Sequence, residues 1–129
     1  MEKIIKTEEE WKKILNPEQF KVMRQHDTET PFSCVWDHQG EGIYYCAACA
    51  LPLFETKTKF ESGSGWPSYF SPINPEHVEE ISDTSFGMTR IEVRCARCES
   101  HLGHVFPDGP APTGKRYCIN SVALNFKEQ

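Results

Sequence analysis

The sequence predicts a mainly β fold, an antiparallel β-sheet domain under a short N-terminal helical cover. Three observations predict it. Helical signals are confined to residues 1–30. From Pro31 onward, dense proline and glycine punctuation separates short β-rich runs. Two C-x-x-C pairs, Cys46-Ala-Ala-Cys49 and Cys95-Ala-Arg-Cys98, bracket the middle of that β-rich part. Together these give one domain, 1–129, whose residues 31–129 form a β-domain built around a structural four-cysteine zinc site.

The helical cover reads first. Thr7 followed by Glu10 is a capping-box pattern, and Trp11, Ile14 and Leu15 then recur at helical spacing. Asn16-Pro17 supplies an N-cap and a proline at the first helical position of a second helix, with Phe20 and Met23 on one side. Three runs then read as strands: "GIYYC", "GMTRIEVRC" and "RYCINSVALNF". In the last, a period of two puts Arg116, Cys118 and Asn120 on one face, with Val122, Leu124 and Phe126 beyond them on the same face. The question that strand raises is why a cation, a thiol and an amide gather at one end of an apolar face.

Bulk properties narrow the answer. The 129 residues are 38% hydrophobic and 26% charged, with no apolar run long enough for a membrane-spanning helix. The start, "MEKIIKTEEEW", lacks the apolar stretch of a secretory signal, so a cytoplasmic protein is expected. There, six cysteines point to metal binding or redox chemistry rather than structural disulfides. A net charge of −5 argues against a dedicated nucleic-acid binder.

Each C-x-x-C turn can present two thiolates to one metal, and two such turns close a tetrahedral zinc site. A rival set exists in "CARCESHLGH", where Cys95, Cys98, His101 and His104 could form a mixed site. That set would leave Cys46 and Cys49 without a purpose, so four cysteines are favoured. A closed site has no open position for substrate, which sends the chemistry elsewhere.

Cys118 and Cys34 remain. As a nucleophile Cys118 needs its thiolate, which a neighbouring cation favours, and Arg116 stands two residues away on the same face. Asn120 offers a donor and an acceptor for a polar substrate atom. The alternative is a core strand with Cys118 as a small buried hydrophobe. His101 and His104 suit proton donation near neutral pH, or are surface or hydrogen-bonded histidines. Trp66, held extended before Pro67 in "GSGWPS", either walls a pocket or fills the core. Asp108 in "PDGP" is turn chemistry, or a carboxylate that orients a histidine. Taken as one pocket, these side chains suit a small apolar group beside an S=O or C=O.

In order along the chain, "EEEWKKILNPEQFKVMRQHDTETPF", "GIYYCAAC", "FESGSGWPSYF", "VRCARCESHLGHVFPDGP" and "TGKRYCINSVALNF" resemble the methionine sulfoxide reductase B family, the peptide-methionine (R)-S-oxide reductases. The resemblance implies a β-rich fold, a structural zinc remote from catalysis, and reduction of methionine-R-sulfoxide in peptides and proteins. It implies Cys118 as nucleophile, His104 as acid with His101 assisting, and Trp66, Asp108, Arg116 and Asn120 as substrate-pocket residues. It further implies a Cys118 sulfenic acid that a second thiol converts to a disulfide for thioredoxin to reduce. One position departs from the family pattern: Ser64 stands where many members carry the resolving cysteine. Cys34 is then the one thiol outside the zinc set that can take that role. Two other classes compete, a zinc-ribbon binding module and a general dithiol–disulfide exchanger using Cys34 and Cys118.

Overall fold

The computed structural model describes residues 2–25, 41–60, 66–84 and 89–128; the expected Cys34 loop and Ser64 lie outside them. Both helices form where the local signals put them, α1 over Glu8–Ile14 and α2 over Pro17–Arg24. Each starts with a complete capping box, Thr7 with Glu10 and Asn16 with Gln19. Losing either N-cap would cost about 1 kcal/mol. Trp11, Leu15, Phe20, Val22 and Met23 are buried, but Ile14 is half exposed and takes no part in the packed face. None of the described helices is long and apolar enough to cross a membrane.

Among the described residues nine strands follow: β1 Gly42–Cys46, β2 Pro52–Glu55, β3 Lys59–Phe60, β4 Ser68–Tyr69, β5 Val78–Asp83, β6 Arg90–Cys95, β7 His101–Phe106, β8 Arg116–Ile119 and β9 Leu124–Glu128. They build a three-stranded sheet in the order β2-β1-β9 and a six-stranded sheet in the order β3-β4-β8-β7-β6-β5. Every pairing is antiparallel. Aromatic rings join the sheets. Phe54 of the small sheet stacks on Tyr69 of the large one at 4.5 Å, and Tyr44 meets the same Tyr69 edge-on at 5.4 Å. Such pairs add about 0.5–1.5 kcal/mol each beyond the area they bury.

The run "RYCINSVALNF" differs from the single strand face expected of it. Strand β8 stops at Ile119, a 3-10 turn takes Ser121–Ala123, and β9 continues in the other sheet. The cause is a long-range contact. Both the backbone N–H and the Nδ2 of Asn120 donate to the Leu102 carbonyl at 2.9 Å, which ends the strand. Val122, Leu124 and Phe126 therefore do not extend the Cys118 face. Instead β9 pairs with β1, setting Leu124 against Cys46, so the chain runs from Cys118 to the first cysteine pair within a few residues.

The large sheet has two distinct faces, as strand alternation requires. Tyr69, Tyr117, Val105, Ile119 and Val93 point into the core and are buried. On the other face the pairing lines up Ser68, Cys118, His104 and Glu92 in one row across β4, β8, β7 and β6. A second row holds Arg116, Phe106, Arg90 and Asp83.

Candidate active site

That polar face carries a cavity of about 380 Å³ lined by Trp66, Arg90, Gly103, His104, Phe106, Arg116, Cys118 and Asn120. Arg116 and Cys118 are two residues apart on β8, and the spacing does what the sequence suggested: Nη1 of Arg116 lies 2.8 Å from Cys118 Sγ. The guanidinium cannot swing away. Its Nε and Nη2 donate to the two carboxylate oxygens of Asp108 at 2.8 and 3.1 Å, and it rests 4.5 Å over the Phe106 ring. The hydrogen bonds it donates to Asp108 hold Arg116 above its ordinary pKa against the opposing effect of burial, and Cys118 adds to the rise. In return Arg116 holds the Asp108 carboxyl below its ordinary value. A cation held on two sides thus faces the sulfur.

On the other side of β8, Ser68 Oγ sits 3.8 Å from Cys118 Sγ and donates to the Trp66 carbonyl at 3.2 Å. Strand β7 can lie close to Cys118 because residue 103 is glycine. A Cβ there would meet the Cys118 carbonyl oxygen at 2.0 Å, so any side chain would force the two strands apart.

His104 lines the cavity and its Nε2 lies 2.9 Å from Asp83. His101 is buried behind it, ring centroids 5.4 Å apart, with Nδ1 2.7 Å from Glu92. Glu92 is itself buried and takes Arg94 at 3.0 Å. Burial acts to raise the Glu92 carboxyl, but Arg94 and then His101 outweigh it and the net shift is downward. Neither histidine belongs to the cysteine cluster.

The cysteine pairs meet at the far end of β6 from Arg90. Cys46, Cys49, Cys95 and Cys98 have all four sulfurs within 4.8 Å of one another, an arrangement able to hold a metal ion. Cys46–Cys98 and Cys49–Cys95 are 3.7 and 3.5 Å apart. Zinc–sulfur bonds of about 2.3 Å in a tetrahedron require sulfur separations of about 3.8 Å, so the donor set fits. Two matching turns achieve this. In each, the N–H four residues on returns to the first cysteine's carbonyl, Ala50 to Cys46 at 2.8 Å and Glu99 to Cys95 at 2.9 Å. Ala50 and Glu99 both take positive φ, 64° and 61°, a conformation costing non-glycine residues about 1–3 kcal/mol unless the surroundings enforce it. Arg24 of α2 closes the arrangement from outside. It lies 4.9 Å over the Trp11 ring and donates to the Cys98 carbonyl and Ser100 Oγ at 2.9 and 3.1 Å.

Comparison with known proteins decides the family. Residues 15–128 match the SelR domain. The chain belongs to the SelR domain family.

Similar proteins carry the name peptide methionine sulfoxide reductase MsrB. One from Methanosarcina barkeri is 61% identical over 125 residues, covering 96% of this chain and 88% of the relative. One from Pseudomonas fluorescens is 59% identical over 127 residues, covering 98% and 97%, and one from Pseudomonas putida is 57% identical over 128, covering 98% of each.

Within this SelR domain the cavity gathers Trp66, His104, Arg116, Cys118 and Asn120 from the residues the sequence singled out. Asp108 stands outside the lining and grips Arg116 rather than a histidine. Asn120 lines the cavity with its Nδ2 committed to Leu102. Sequence reasoning missed Arg90, Gly103 and Phe106 in the lining, and Asp83, Glu92 and Ser68 behind it. One signal was available: counting by two from His104 reaches Phe106, and counting by two through "RIEVRC" puts Arg90 and Glu92 on one face between apolar neighbours.

Proposed function

We propose that this chain reduces methionine-R-sulfoxide in peptides and proteins to methionine, with Cys118 as the nucleophile. The observation that carries this reading is the Arg116–Cys118 contact of 2.8 Å in the lining of a cavity that Trp66 and Phe106 also wall. The relatives' name, peptide methionine sulfoxide reductase, agrees with what that cavity can take. The choice of the R epimer follows from the resemblance of the motifs to the B-type reductases.

The S-methyl group of the substrate packs on Trp66, and the sulfoxide sulfur faces Cys118. The thiolate, matched by the Arg116 charge, attacks while a proton from His104 reaches the oxygen. The oxygen's bond to the methionine sulfur breaks as its bond to Cys118 Sγ forms, methionine sulfur gains two electrons and leaves as the thioether, and Cys118 becomes a sulfenic acid, oxidised by two electrons. His101, held by Glu92, supports the second imidazole, and Asp108 locks Arg116. Asn120 holds the end of β8 and so fixes the cavity wall beside the bound substrate. Zinc, held by Cys46, Cys49, Cys95 and Cys98, supplies structural closure. A cytoplasmic location goes with this reading, because a reducing compartment keeps the thiols available for the chemistry.

Purified protein assayed on separated R and S epimers with dithiothreitol tests the reading. Turnover of the R epimer alone is expected; turnover of neither would overturn it.

Replacing His104 by Ala is expected to slow R-sulfoxide reduction by about 10²–10⁴-fold, the usual contribution of a general acid. Stopped-flow rates at saturating substrate measure this, and an unchanged rate would move the proton to His101 or water.

Recycling falls to Cys34, since Ser64 cannot form a disulfide. Cys34 attacks the sulfenic acid, water leaves, and thioredoxin reduces the Cys34–Cys118 disulfide. Cys34→Ser is expected to release about one methionine per enzyme in the first turnover and then stall with thioredoxin, leaving a sulfenic acid that can be trapped. Wild-type cycling by the variant would make Cys34 a bystander.

A further inference from the structure

The two imidazoles beside Cys118 are each held by a carboxylate, and the carboxylates take different ring nitrogens. Glu92 lies 2.7 Å from Nδ1 of His101, whereas Asp83 lies 2.9 Å from Nε2 of His104. An ionised carboxylate can only accept, so the nitrogen facing it carries the proton, and on His104 this makes Nδ1 the nitrogen that can exchange one. Of the two rings, only that of His104 lines the cavity. Its partner comes from the edge of the sheet. Asp83 closes β5, pairs with Arg90 in register, and reaches across β6 to a histidine on β7. Arg90 Nη2 sits 3.8 Å from the same carboxylate oxygen that meets His104, so one carboxylate connects two residues of the cavity wall.

We propose that Asp83 is a positioning residue that holds His104 with a proton on Nε2, so that Nδ1 is the nitrogen that hands a proton to the substrate oxygen. The proposal rests on the reading of this chain as a sulfoxide reductase with His104 as its acid. In the proton step the Nδ1–H bond breaks and an O–H bond forms on the oxygen passing to Cys118. The ring goes from imidazolium to the neutral form with hydrogen on Nε2, which is the form the carboxylate accepts from. Charged and titratable groups surround His104: Asp83 on β5, one strand beyond β6, Arg90 and Glu92 on β6, His101 on β7 itself, and Arg116 with Cys118 on β8. Without the Asp83 charge, Arg90 and Arg116 would stand less well balanced beside the ring, and the protonated ring would lose its counter-charge.

Asp83→Asn keeps the shape but not the choice, because a carboxamide can accept from Nε2 or donate to it. The variant is expected to lose at least about tenfold in kcat, with the His104→Ala loss as the ceiling and KM little changed. Asp83→Glu should recover part of the rate. Nitrogen-15 NMR of the histidine rings, taken on the wild-type enzyme above the imidazole titration, gives a readout independent of turnover. His104 is expected as a single Nε2–H tautomer in wild type and as a mixture in Asp83→Asn. A wild-type His104 with its neutral proton on Nδ1, or a variant with unchanged kcat, would overturn the proposal. An enzyme without sulfoxide turnover would instead overturn the functional reading, while the tautomer measurement would still decide what Asp83 does.

Discussion

Cys118→Ser is expected to abolish sulfoxide reduction, with a loss of roughly 10⁴-fold or more, the scale seen when a catalytic nucleophile is removed. A hydroxyl stays protonated at neutral pH even beside Arg116, and the oxygen is a poor nucleophile toward sulfur. The substitution should leave the fold alone. Cys118 is only partly buried, the change is one atom, and the Asp108–Arg116–Phe106 grip does not depend on the sulfur. Loss of turnover with unchanged circular dichroism and unchanged metal content is therefore the outcome to look for. Residual turnover near the wild-type rate would remove Cys118 from the chemistry.

The second large effect lies at the other end of β6. Cys46→Ser or Cys98→Ser is expected to give a zinc-depleted, poorly folded protein. Structural zinc supplies about 10–16 kcal/mol of apparent binding free energy, against a total stability of about 5–15 kcal/mol for a typical domain. Without the metal, the positive φ of Ala50 and Glu99 is offset only by one backbone hydrogen bond in each turn, and four sulfurs remain crowded within 4.8 Å. The damage would spread along two routes. Cys46 ends β1, the central strand of the small sheet, and the Cys98 carbonyl anchors Arg24 and with it the helical cover. Native mass spectrometry should find one zinc in wild type, and thermal melts with and without a chelator should diverge. A stable, active, metal-free wild type would contradict this.

What could be read in the sequence follows the range of the interactions. Capping boxes at Thr7 and Asn16 act over three residues, and both helices begin where those residues sit. Strand β1 coincides with "GIYYC" because alternation and strand propensity act locally too. The paired C-x-x-C turns were legible because four soft ligands at such spacing have few other uses. The break after Ile119 was not legible. It depends on Asn120 meeting Leu102, a contact that exists only once β7 and β8 are paired. For the same reason Cys118 and Arg116 could be placed on one strand face, while Asp83 and Glu92 passed as ordinary charged strand residues. Asp83 and His104 sit on strands that are not neighbours in the sheet, and no spacing in the chain announces that they meet. Asp108 illustrates the converse, since its turn was recognised while its partner, Arg116, was not.

The central claim is that one thiol in this cavity takes the oxygen from the sulfoxide. A single-turnover experiment without any reductant tests it most directly: excess R-sulfoxide peptide is mixed with fully reduced, zinc-loaded protein and released methionine is counted. A burst of about one methionine per chain, carried by the wild type and absent from Cys118→Ser, is the predicted result. No burst from the wild type, or an equal burst from Cys118→Ser, would contradict the account.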